Sequence, residues 1–458
     1  MNCVARTMAH ANEMVKHVID IGELQELRLS QRSIYKVPHN LRKVKEEPYT
    51  PQCISIGPIH FNKQEFMPMQ EHKLRYFQFF WNRVSNEQAM MNYKDYLKTK
   101  EQEIRQCYAE KFPDMANEKF VDMMLLDAVF IMELFLRNCH NNSFGESDDL
   151  ILTQSWLGRN ITRDLILLEN QIPFFVLQKL YDNVVPDENK KKEHTCFVHL
   201  AIEYFAFYDN QTCSSHESDE TKKDRFEEPK HFTDLIRCFY LPAERESGCA
   251  RHVLRTATKL HESGVCFEKG DVKRRLLDIT FEKTPILSLF LCFGCFPYLD
   301  HFKARFRIPQ LKLDHTTECV FRNLIAFEQC HYPEKPYICN YVSLLDSLIH
   351  TKLDVEFLVE KEVIVHELGS DKEVATLVNG LCKHVVTNST SYYETINKLN
   401  EHYVSNWNHT VAALRLVYFK DLWRASSTVV GIAVLVFAVF QFLRLVGVVF
   451  YSPRMSKM

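Results

Sequence analysis

The sequence predicts a mainly α-helical protein, with a multi-helical globular domain, a short extended strap near its amino terminus and one C-terminal transmembrane helix. The chain has 458 residues, 46% of them hydrophobic and 25% charged, a composition that can fold around a large core. It contains only 12 glycines, which disfavours turn-rich β folds and glycine-lined phosphate sites. Apolar residues recur at helical spacing in several long segments.

The predicted helical domain covers residues 34–425 and follows a weakly helical segment at residues 1–33. Two polar stretches, residues 183–194 and 209–230, are expected to be solvated loops. They are also candidates for a boundary that divides the domain into two lobes.

The domain begins with a segment, residues 34–61, that is rich in proline and β-branched residues. Pro38, Pro51 and Pro58 each disfavour helical geometry at the residue before them. We therefore expect an extended strap that packs over a helical body.

Residues 121–137 form a helical segment of the predicted domain in which apolar side chains occur all round the helix. Such a helix is enclosed by others. Two carboxylates interrupt it, Asp127 and Glu133. At 100° per residue they point about 240° apart, so they cannot form a catalytic pair on their own.

The run of residues 426–451 predicts the transmembrane helix, because a bilayer core needs about 20 apolar residues. Its one charge, Arg444, lies near the end, where it can reach the headgroups, and Trp423 and Tyr451 suit the two interfaces. A short tail, residues 452–458, follows. We expect a tail anchor in the plasma membrane or endomembranes, with the large domain cytosolic and the lipid bilayer as partner. A buried helix of a soluble protein is the alternative.

Several chemistries are excluded by charge and by missing motifs. The net charge is −3, with Lys and Arg spread along the chain, so nucleic acid is not an expected partner. Neither a phosphate-binding loop nor the dinucleotide motif GxGxxG occurs, and GxSxG is absent. No cofactor is therefore expected.

Cys292 and Cys295 have the one spacing in the chain that is typical of metal or redox sites. They lie in an apolar context with no second such pair, so buried inert thiols are the simpler interpretation. Both remain weak candidates for a metal site.

The stretch DLILLENQIPFFVL, residues 164–177, holds three adjacent polar residues in an apolar run: Glu169, Asn170 and Gln171. Pro173 lacks an amide proton and should break the helix here. We predict that Asn170 and Gln171 donate to the freed carbonyls, and that Glu169 accepts from the amide of Phe174 or Phe175.

Other carboxylates also stand in apolar segments, and they are either structural anchors or catalytic acids and bases. Anchoring is favoured, because a buried charge is costly unless it is paired. Arg137 and Arg322 follow Glu133 and Glu318 at the helical pairing distance of four residues. No catalytic residue is predicted. The predicted structural polar core comprises Asp127, Glu133, Asp164, Glu169, Asn170, Gln171, Glu318, Arg322 and Glu328.

The chain resembles a plant family called domain of unknown function 247, also labelled uncharacterised protein family 0481, from Ile34 to Tyr451. The resemblance rests on six blocks in order: IYKVPHNLR, YTPQCISIGPIH, MLLDAVFIMELF, DLILLENQIPFFVL, LIAFEQC and DVEFLVEKEVIVHELGSDKEVATL. Departures at residues 59–61 and at Leu422 affect loop detail. The resemblance implies a helical domain with a C-terminal membrane anchor, and it brings no catalytic or binding residues. Some grass members are implicated in self-incompatibility, which is a recognition role.

The hypothesis from the sequence is a membrane-anchored plant protein of unknown biochemical activity that acts as an interaction or recognition module for an unknown protein partner. The alternative is an enzyme with hydrolase-like acid–base chemistry by buried carboxylates. An open cleft where Asp127, Asp164 or Glu328 meets a histidine such as His331 would favour the enzyme. Burial with arginine partners would favour the interaction module.

Overall fold

A computed structural model describes residues 31–84, 86–139, 149–185, 196–209, 229–242, 248, 254–271, 275–283, 304–405 and 422–450. Residues 1–30, the C-terminal tail and most of both polar loops lie outside these ranges. So do Cys292 and Cys295, the weak candidates for a metal site. The division into two lobes stays a prediction.

The described residues are mainly helical, as the sequence predicts. The helices are α1 His39–Val44, α2 Met67–Val84, α3 Glu87–Thr99, α4 Glu101–Gln106, α5 Asn117–Cys139, α6 Leu150–Thr153, α7 Ser155–Leu165, α8 Phe174–Asn183, α9 Phe197–Tyr204, α10 Ala206–Asp209, α11 Phe232–Tyr240, α12 Ala257–Glu262, α13 Thr317–His331, α14 Tyr337–Leu348, α15 Lys352–Glu360, α16 Asp371–Leu381, α17 Tyr393–Val404 and α18 Leu422–Phe450. Two 3-10 turns, Glu47–Tyr49 and Gln64–Phe66, lie between α1 and α2.

Two small sheets were not predicted. The strands are β1 Val265–Lys269, β2 Thr280–Lys283, β3 Ala304–Ile308, β4 Leu311–Leu313 and β5 Ile364–His366. In the first sheet β3 lies between a parallel β1 and an antiparallel β2, and in the second β4 pairs with β5 in parallel. Strands of three to five residues are too short for a clear alternating pattern, which is why the sequence did not reveal them.

Helix α5 lies at the centre of the amino-terminal half, where it packs against α2, α3, α8 and α9. Its buried side chains point in all directions, as predicted for residues 121–137. In the carboxyl-terminal half, α13 packs against α11, α14, α16 and the 3-10 turn Glu47–Tyr49. One hydrophobic core includes residues from Ile34 to Leu399.

The strap, defined here as residues 33–61, crosses both halves and is largely buried. Ile34, Ile54 and Ile56 are fully excluded from solvent. The strap makes a single bridge of β type, between Ile34 and Tyr108. It is also interrupted by α1, which the sequence did not predict and which Pro38 precedes as the N-cap. A proline with its fixed φ suits the start of a helix.

A helix that crosses the hydrocarbon core of a membrane needs about 20 mostly apolar residues. Within the ranges described above, no helix is both long enough and apolar enough to do so. The transmembrane helix predicted at residues 426–451 is therefore not supported.

Helix α18 nevertheless exposes an unusual number of large apolar side chains. Ten of them are exposed between positions 430 and 443: Val430, Ile432, Val434, Leu435, Val436, Phe437, Val439, Phe440, Phe442 and Leu443. A buried helix of a soluble protein, the alternative for this segment, would not expose them.

Candidate functional site

The predicted polar residues meet the backbone of the strap. Asp164, at the end of α7, is fully buried. Its carboxylate accepts hydrogen bonds from the amides of Gln52 at 2.9 Å, Cys53 at 2.6 Å and Ile54 at 3.0 Å. Burial raises the pKa of Asp164, and the three amide donors act against that rise. Successive amides that converge on one carboxylate form an anion-binding concavity, so Asp164 holds the middle of the strap.

Asn170 joins the strap to the broken helix. Its Oδ1 accepts from the amide of Ile56 at 2.7 Å, and its Nδ2 donates to the carbonyls of Ile54 at 3.0 Å and Asp164 at 2.9 Å. One side-chain amide therefore bonds to the strap on both sides of Ser55, much as a neighbouring strand would.

Gln171 forms hydrogen bonds with the backbone groups that the break in the helix leaves without helical partners. Its Nε2 donates to the carbonyls of Leu165 and Leu167 at 2.6 and 2.7 Å, and its Oε1 accepts from the amide of Phe232 at 2.9 Å. The donation predicted for Asn170 and Gln171 is present. The helix ends at Leu165, earlier than predicted, and Pro173 is the N-cap of α8.

Glu169 has a different partner from the one predicted. Its Oε1 accepts from the amide of Val37 at 2.7 Å, whereas the amide of Phe174 donates to another backbone carbonyl. Its Oε2 lies 2.6 Å from Arg42 Nη2 and 3.4 Å from His60 Nε2. Burial raises the pKa of Glu169, but the bonds from His60, Val37 and Arg42 outweigh burial and lower it overall.

Asp127, on α5, binds the strap together with a buried lysine. Its Oδ2 accepts from the amide of Gly57 at 2.8 Å, and its Oδ1 lies 2.5 Å from Lys73 Nζ. Lys73 Nζ also donates to the carbonyl of Ser55 at 2.5 Å. Burial raises the pKa of Asp127, and Lys73 opposes this. Five of the side chains that bind the strap are together called the polar lock: Asp127, Asp164, Glu169, Asn170 and Lys73.

Glu133 belongs to a separate cluster towards the end of α5. It pairs with Arg137 Nε at 2.7 Å and with Arg83, and Arg137 Nη1 also reaches Asp149 at 3.0 Å. Burial and the charge of Arg137 lower the pKa of Arg83 to about 10. The cluster ties α2, α5 and the start of α6 together.

Glu318 and Glu328, both on α13, are also paired with cations. Glu318 lies 2.9 Å from Arg322 Nε and 2.6 Å from Lys45 Nζ, so it links α13 to the strap. Glu328 is fully buried and lies 2.8 Å from Arg237 Nε. The two pairs predicted at a spacing of four residues, Glu133 with Arg137 and Glu318 with Arg322, are both formed.

The residues named for an acid–base cleft do not form one. Asp127, Asp164 and Glu328 are each at most 2% exposed and are bound to the partners given above. His331 Nδ1 lies 2.9 Å from the hydroxyl of Tyr35. These side chains therefore have structural partners within the fold.

An acid–histidine pair does occur nearer the surface, between His366 Nε2 and Asp371 Oδ1 at 2.8 Å. The other ring nitrogen of His366 lies 3.2 Å from the carbonyl of Leu368. Both contacts span the short turn between β5 and α16. The pair therefore holds that turn in place.

A surface groove of about 500 Å³ opens where the strap ends, between the amino-terminal ends of α2 and α5. Its apolar floor includes Phe61, Met67, Met123 and Leu126, and its rim carries Glu118, Lys119 and Asp122. Lys119 Nζ lies 5.3 Å from the centroid of the Phe61 ring.

A second cavity of about 270 Å³ lies beside this groove and shares Glu118 with it. The ion pair between Lys94 and Asp122, at 2.6 Å, connects the linings of the two. Together they make the first two turns of α5 accessible from both sides.

Sequence reasoning missed the groove and the buried Lys73. The groove is assembled from two segments, residues 61–70 and 116–126, that lie far apart in the sequence, so no local pattern marks it. Its one local signal is Glu118 and Asp122, which are four residues apart at the start of an apolar helix. Among the residues within the described ranges, no cluster of three or more His, Cys, Asp or Glu could hold a metal ion.

Comparison with known proteins agrees with the resemblance in the sequence. The profile of the family DUF247, described as a plant protein of unknown function, matches residues 34–437. The chain is 29% identical to the UPF0481 protein At3g47200 of Arabidopsis thaliana over 89% of its own length and 85% of that protein. It is 24% identical to the putative UPF0481 protein At3g02645 of the same plant, over 96% of both chains. No solved structure matches the chain.

Proposed function

We propose that this chain, which belongs to the plant family of unknown function DUF247, is a membrane-attached protein interaction module. The observation that carries the proposal is the groove at the end of the strap, which combines an apolar floor with a charged rim. Its volume of about 500 Å³ lies in the range of sites that bind ligands.

The buried carboxylates are already bonded to groups of their own chain, which supports a binding function over a catalytic one. Asp127, Asp164 and Glu169 bond to strap amides and to cations of their own chain. A role in proton transfer would break contacts that hold the fold. The alternative, an enzyme with hydrolase-like acid–base chemistry, would have to use other residues.

The lining of the groove indicates the chemistry of the partner. Met67, which is exposed at the groove, can adapt to different apolar shapes because its side chain is flexible. Glu118, Lys119 and Asp122 are the charged residues that line the groove, and Asp122 is paired with Lys94, which leaves Glu118 as the rim acid that can meet a basic group of the partner. The partner that fits is a protein segment with an apolar side chain next to a basic one.

The exposed side chains of α18 support membrane attachment. They include consecutive positions, from Val434 to Phe437, and therefore cover every side of the helix. Apolar surface of this extent marks a contact with a membrane or with another protein. Of the two, lipid can contact the apolar side chains on all sides of the helix at once. We further propose that the domain lies in the cytosol, at the plasma membrane or an endomembrane.

The groove can be tested with a displayed library of short peptides, screened against the full chain and followed by fluorescence polarisation of the selected peptides. We expect apolar–basic peptides that lose at least tenfold in affinity for Glu118→Lys. Glu401→Lys, an exposed change on α17, is the matched control and should bind like the wild type. Selection of acidic peptides, or equal binding by Glu118→Lys, would contradict the proposal.

Membrane attachment can be tested by flotation of the full chain with liposomes, next to the double variant Phe437→Lys, Phe440→Lys. The wild type should float and the variant should stay at the bottom. Glycosylation of Asn388, which is exposed within a sequon, reports the orientation in sealed microsomes. No glycan is expected for a cytosolic domain. Wild-type chain that does not float would show that α18 contacts protein instead.

A further inference from the structure

Two histidines from different helices converge on the start of the strap. His231 Nε2 lies 2.9 Å from the carbonyl oxygen of Ser33, and His331 Nδ1 lies 2.9 Å from the hydroxyl of Tyr35. The ring of Phe327 lies between them, with its centroid 4.8 Å from that of His231 and 5.3 Å from that of His331. His231 is fully buried.

The bonds of His231 require a neutral imidazole. His231 is the N-cap of α11, and its Nδ1 accepts from the amide of Asp234. Because Nδ1 is the acceptor, Nε2 carries the ring proton and donates to Ser33. A proton added to Nδ1 would remove the cap and leave a charge inside the core.

We propose that His231 makes the start of the strap an acid-sensitive latch, which releases residues 33–35 when its imidazole takes up a proton. The proposal is independent of the partner that binds the groove.

The charges around His231 decide in which direction the latch responds. Asp234, on its own helix, favours the protonated ring, whereas Lys230 and His331 disfavour it. Arg237, one turn further along α11, is paired with Glu328 of α13. The strap itself presents the carbonyl of Ser33 to the ring. Burial dominates, and it lowers the pKa of His231 to about 4.

Residues 33–35 should therefore be released as the pH falls through a defined range. A histidine exposed by opening has a pKa of about 6.5, so the open form binds the proton first as the pH falls from about 6.5 to 4. The opening equilibrium should rise through this window, by up to about 300-fold for a difference of about 2.5 pKa units.

Three backbone hydrogen bonds hold the start of the strap closed, and hydrogen exchange at their amides can report its opening. The amides of Ser33 and Ile34 both donate to the carbonyl of Cys107 at 2.9 Å, and the amide of Ala109 donates to the carbonyl of Ile34 at 2.9 Å. Amides that are released exchange their hydrogen with solvent. Exchange at positions 33, 34 and 109 thus reports the latch.

The test is hydrogen–deuterium exchange with mass spectrometry on the full chain at pH 7.5, 6.5, 5.5 and 5.0, with rates corrected for the intrinsic effect of pH. In the wild type, protection of peptides that cover 31–37 and 105–110 should fall more than tenfold between pH 7.5 and 5.0. In His231→Asn the pH response should vanish, because asparagine can cap α11 but does not titrate.

The matched control is His402→Asn, which removes another buried histidine that also bonds to a backbone carbonyl, that of Ser263. It should keep the wild-type response of the strap. Exchange at histidine C2 in the wild-type chain measures the pKa of His231 directly and does not depend on the folding of a variant. A value below 5 is expected.

Three results would overturn the latch. One is wild-type strap protection that does not change between pH 7.5 and 5.0. Another is a pH response that persists in His231→Asn, since the titrating group would then lie elsewhere. The third is a pKa of His231 near 6.5 in the closed state.

Discussion

The ammonium group of Lys73 lies 2.5 Å from the carboxylate of Asp127, and both side chains are almost fully excluded from solvent. The pair sits between α2 and α5 and bonds to the strap at Ser55 and Gly57. A charge removed from such a pair leaves its partner buried and uncompensated, which typically costs about 3 to 5 kcal/mol. The polar lock is therefore the place where a single substitution should affect the whole fold.

Lys73→Met should lower the free energy of unfolding by about 3 kcal/mol or more, because Asp127 would lose its cation. Urea denaturation followed by circular dichroism measures the change. Lys98→Met removes an exposed lysine from its pair with Asp95 and should change stability by less than about 0.5 kcal/mol. If the two substitutions changed the free energy of unfolding by the same amount, the buried pair would contribute no more to stability than the exposed pair.

Gly57→Ala should also destabilise the fold. Gly57 has a φ of +71°, and a Cβ there would lie 2.5 Å from the carbonyl oxygen of Gln171. The backbone conformation alone costs a non-glycine residue about 1 to 3 kcal/mol, and the clash adds to it. Thermal unfolding measures the loss.

Gly380→Ala is the control for this change. A Cβ at that position, in α16, meets the side chain of Arg322 at 3.4 Å, an ordinary contact. Alanine in a helix is favoured over glycine by up to about 1 kcal/mol, so this variant should be as stable as the wild type or more so. If Gly57→Ala unfolded at the same temperature as the wild type, the strap would be able to move away from Gln171.

Asp164→Asn should loosen the middle of the strap. The carboxylate accepts three amides, whereas asparagine would turn an amino group towards at least one of them. Hydrogen bonds to a charged group contribute about 1.5 to 3 kcal/mol each. Exchange of the amides of residues 52–54 should become faster, with little change at Val37, which Glu169 holds. Unchanged exchange at 52–54 would refute the role of Asp164.

Glu169 should make stability depend on pH in the acid range. Its pKa is lowered below the ordinary value of 4.5, so its contribution is fully present above about pH 4.5 and is lost as the pH falls through the folded pKa. The urea midpoint measured from pH 6 to 3 should fall less steeply for Glu169→Gln than for the wild type.

The control for the pH series is Glu401→Gln, which changes an exposed glutamate on α17 and should keep the wild-type slope. A Glu169→Gln chain with the same slope as the wild type would place the acid sensitivity on other carboxylates.

Several features follow from local spacing, and the sequence revealed them. The apolar run of residues 121–137 predicts an enclosed helix, and α5 is enclosed. The pairs Glu133 with Arg137 and Glu318 with Arg322 follow from helix geometry, which brings positions four apart onto one face. The missing amide proton of Pro173 predicts a break in the helix, and a break is present, but α7 already ends at Leu165, further back than the proline acts.

Other features depend on contacts between distant parts of the chain. Glu169 binds the amide of Val37, 132 positions away, although the amides of Phe174 and Phe175 are closer in sequence. Lys73 could not be distinguished from the exposed lysines of other amphipathic helices. The transmembrane prediction rested on length and hydropathy along the chain, and it is not supported by the helices that the structure describes.

The sequence by itself determined that this protein is mainly helical, where one helix is enclosed and where polar residues interrupt the core, because periodicity and proline act over a few residues. Only the tertiary structure decided what those polar residues bind. Buried carboxylates and amides must form hydrogen bonds within the folded chain. Here the backbone of the strap supplies their partners. The groove, the polar lock and the histidines at the start of the strap all arise from that one long-range docking.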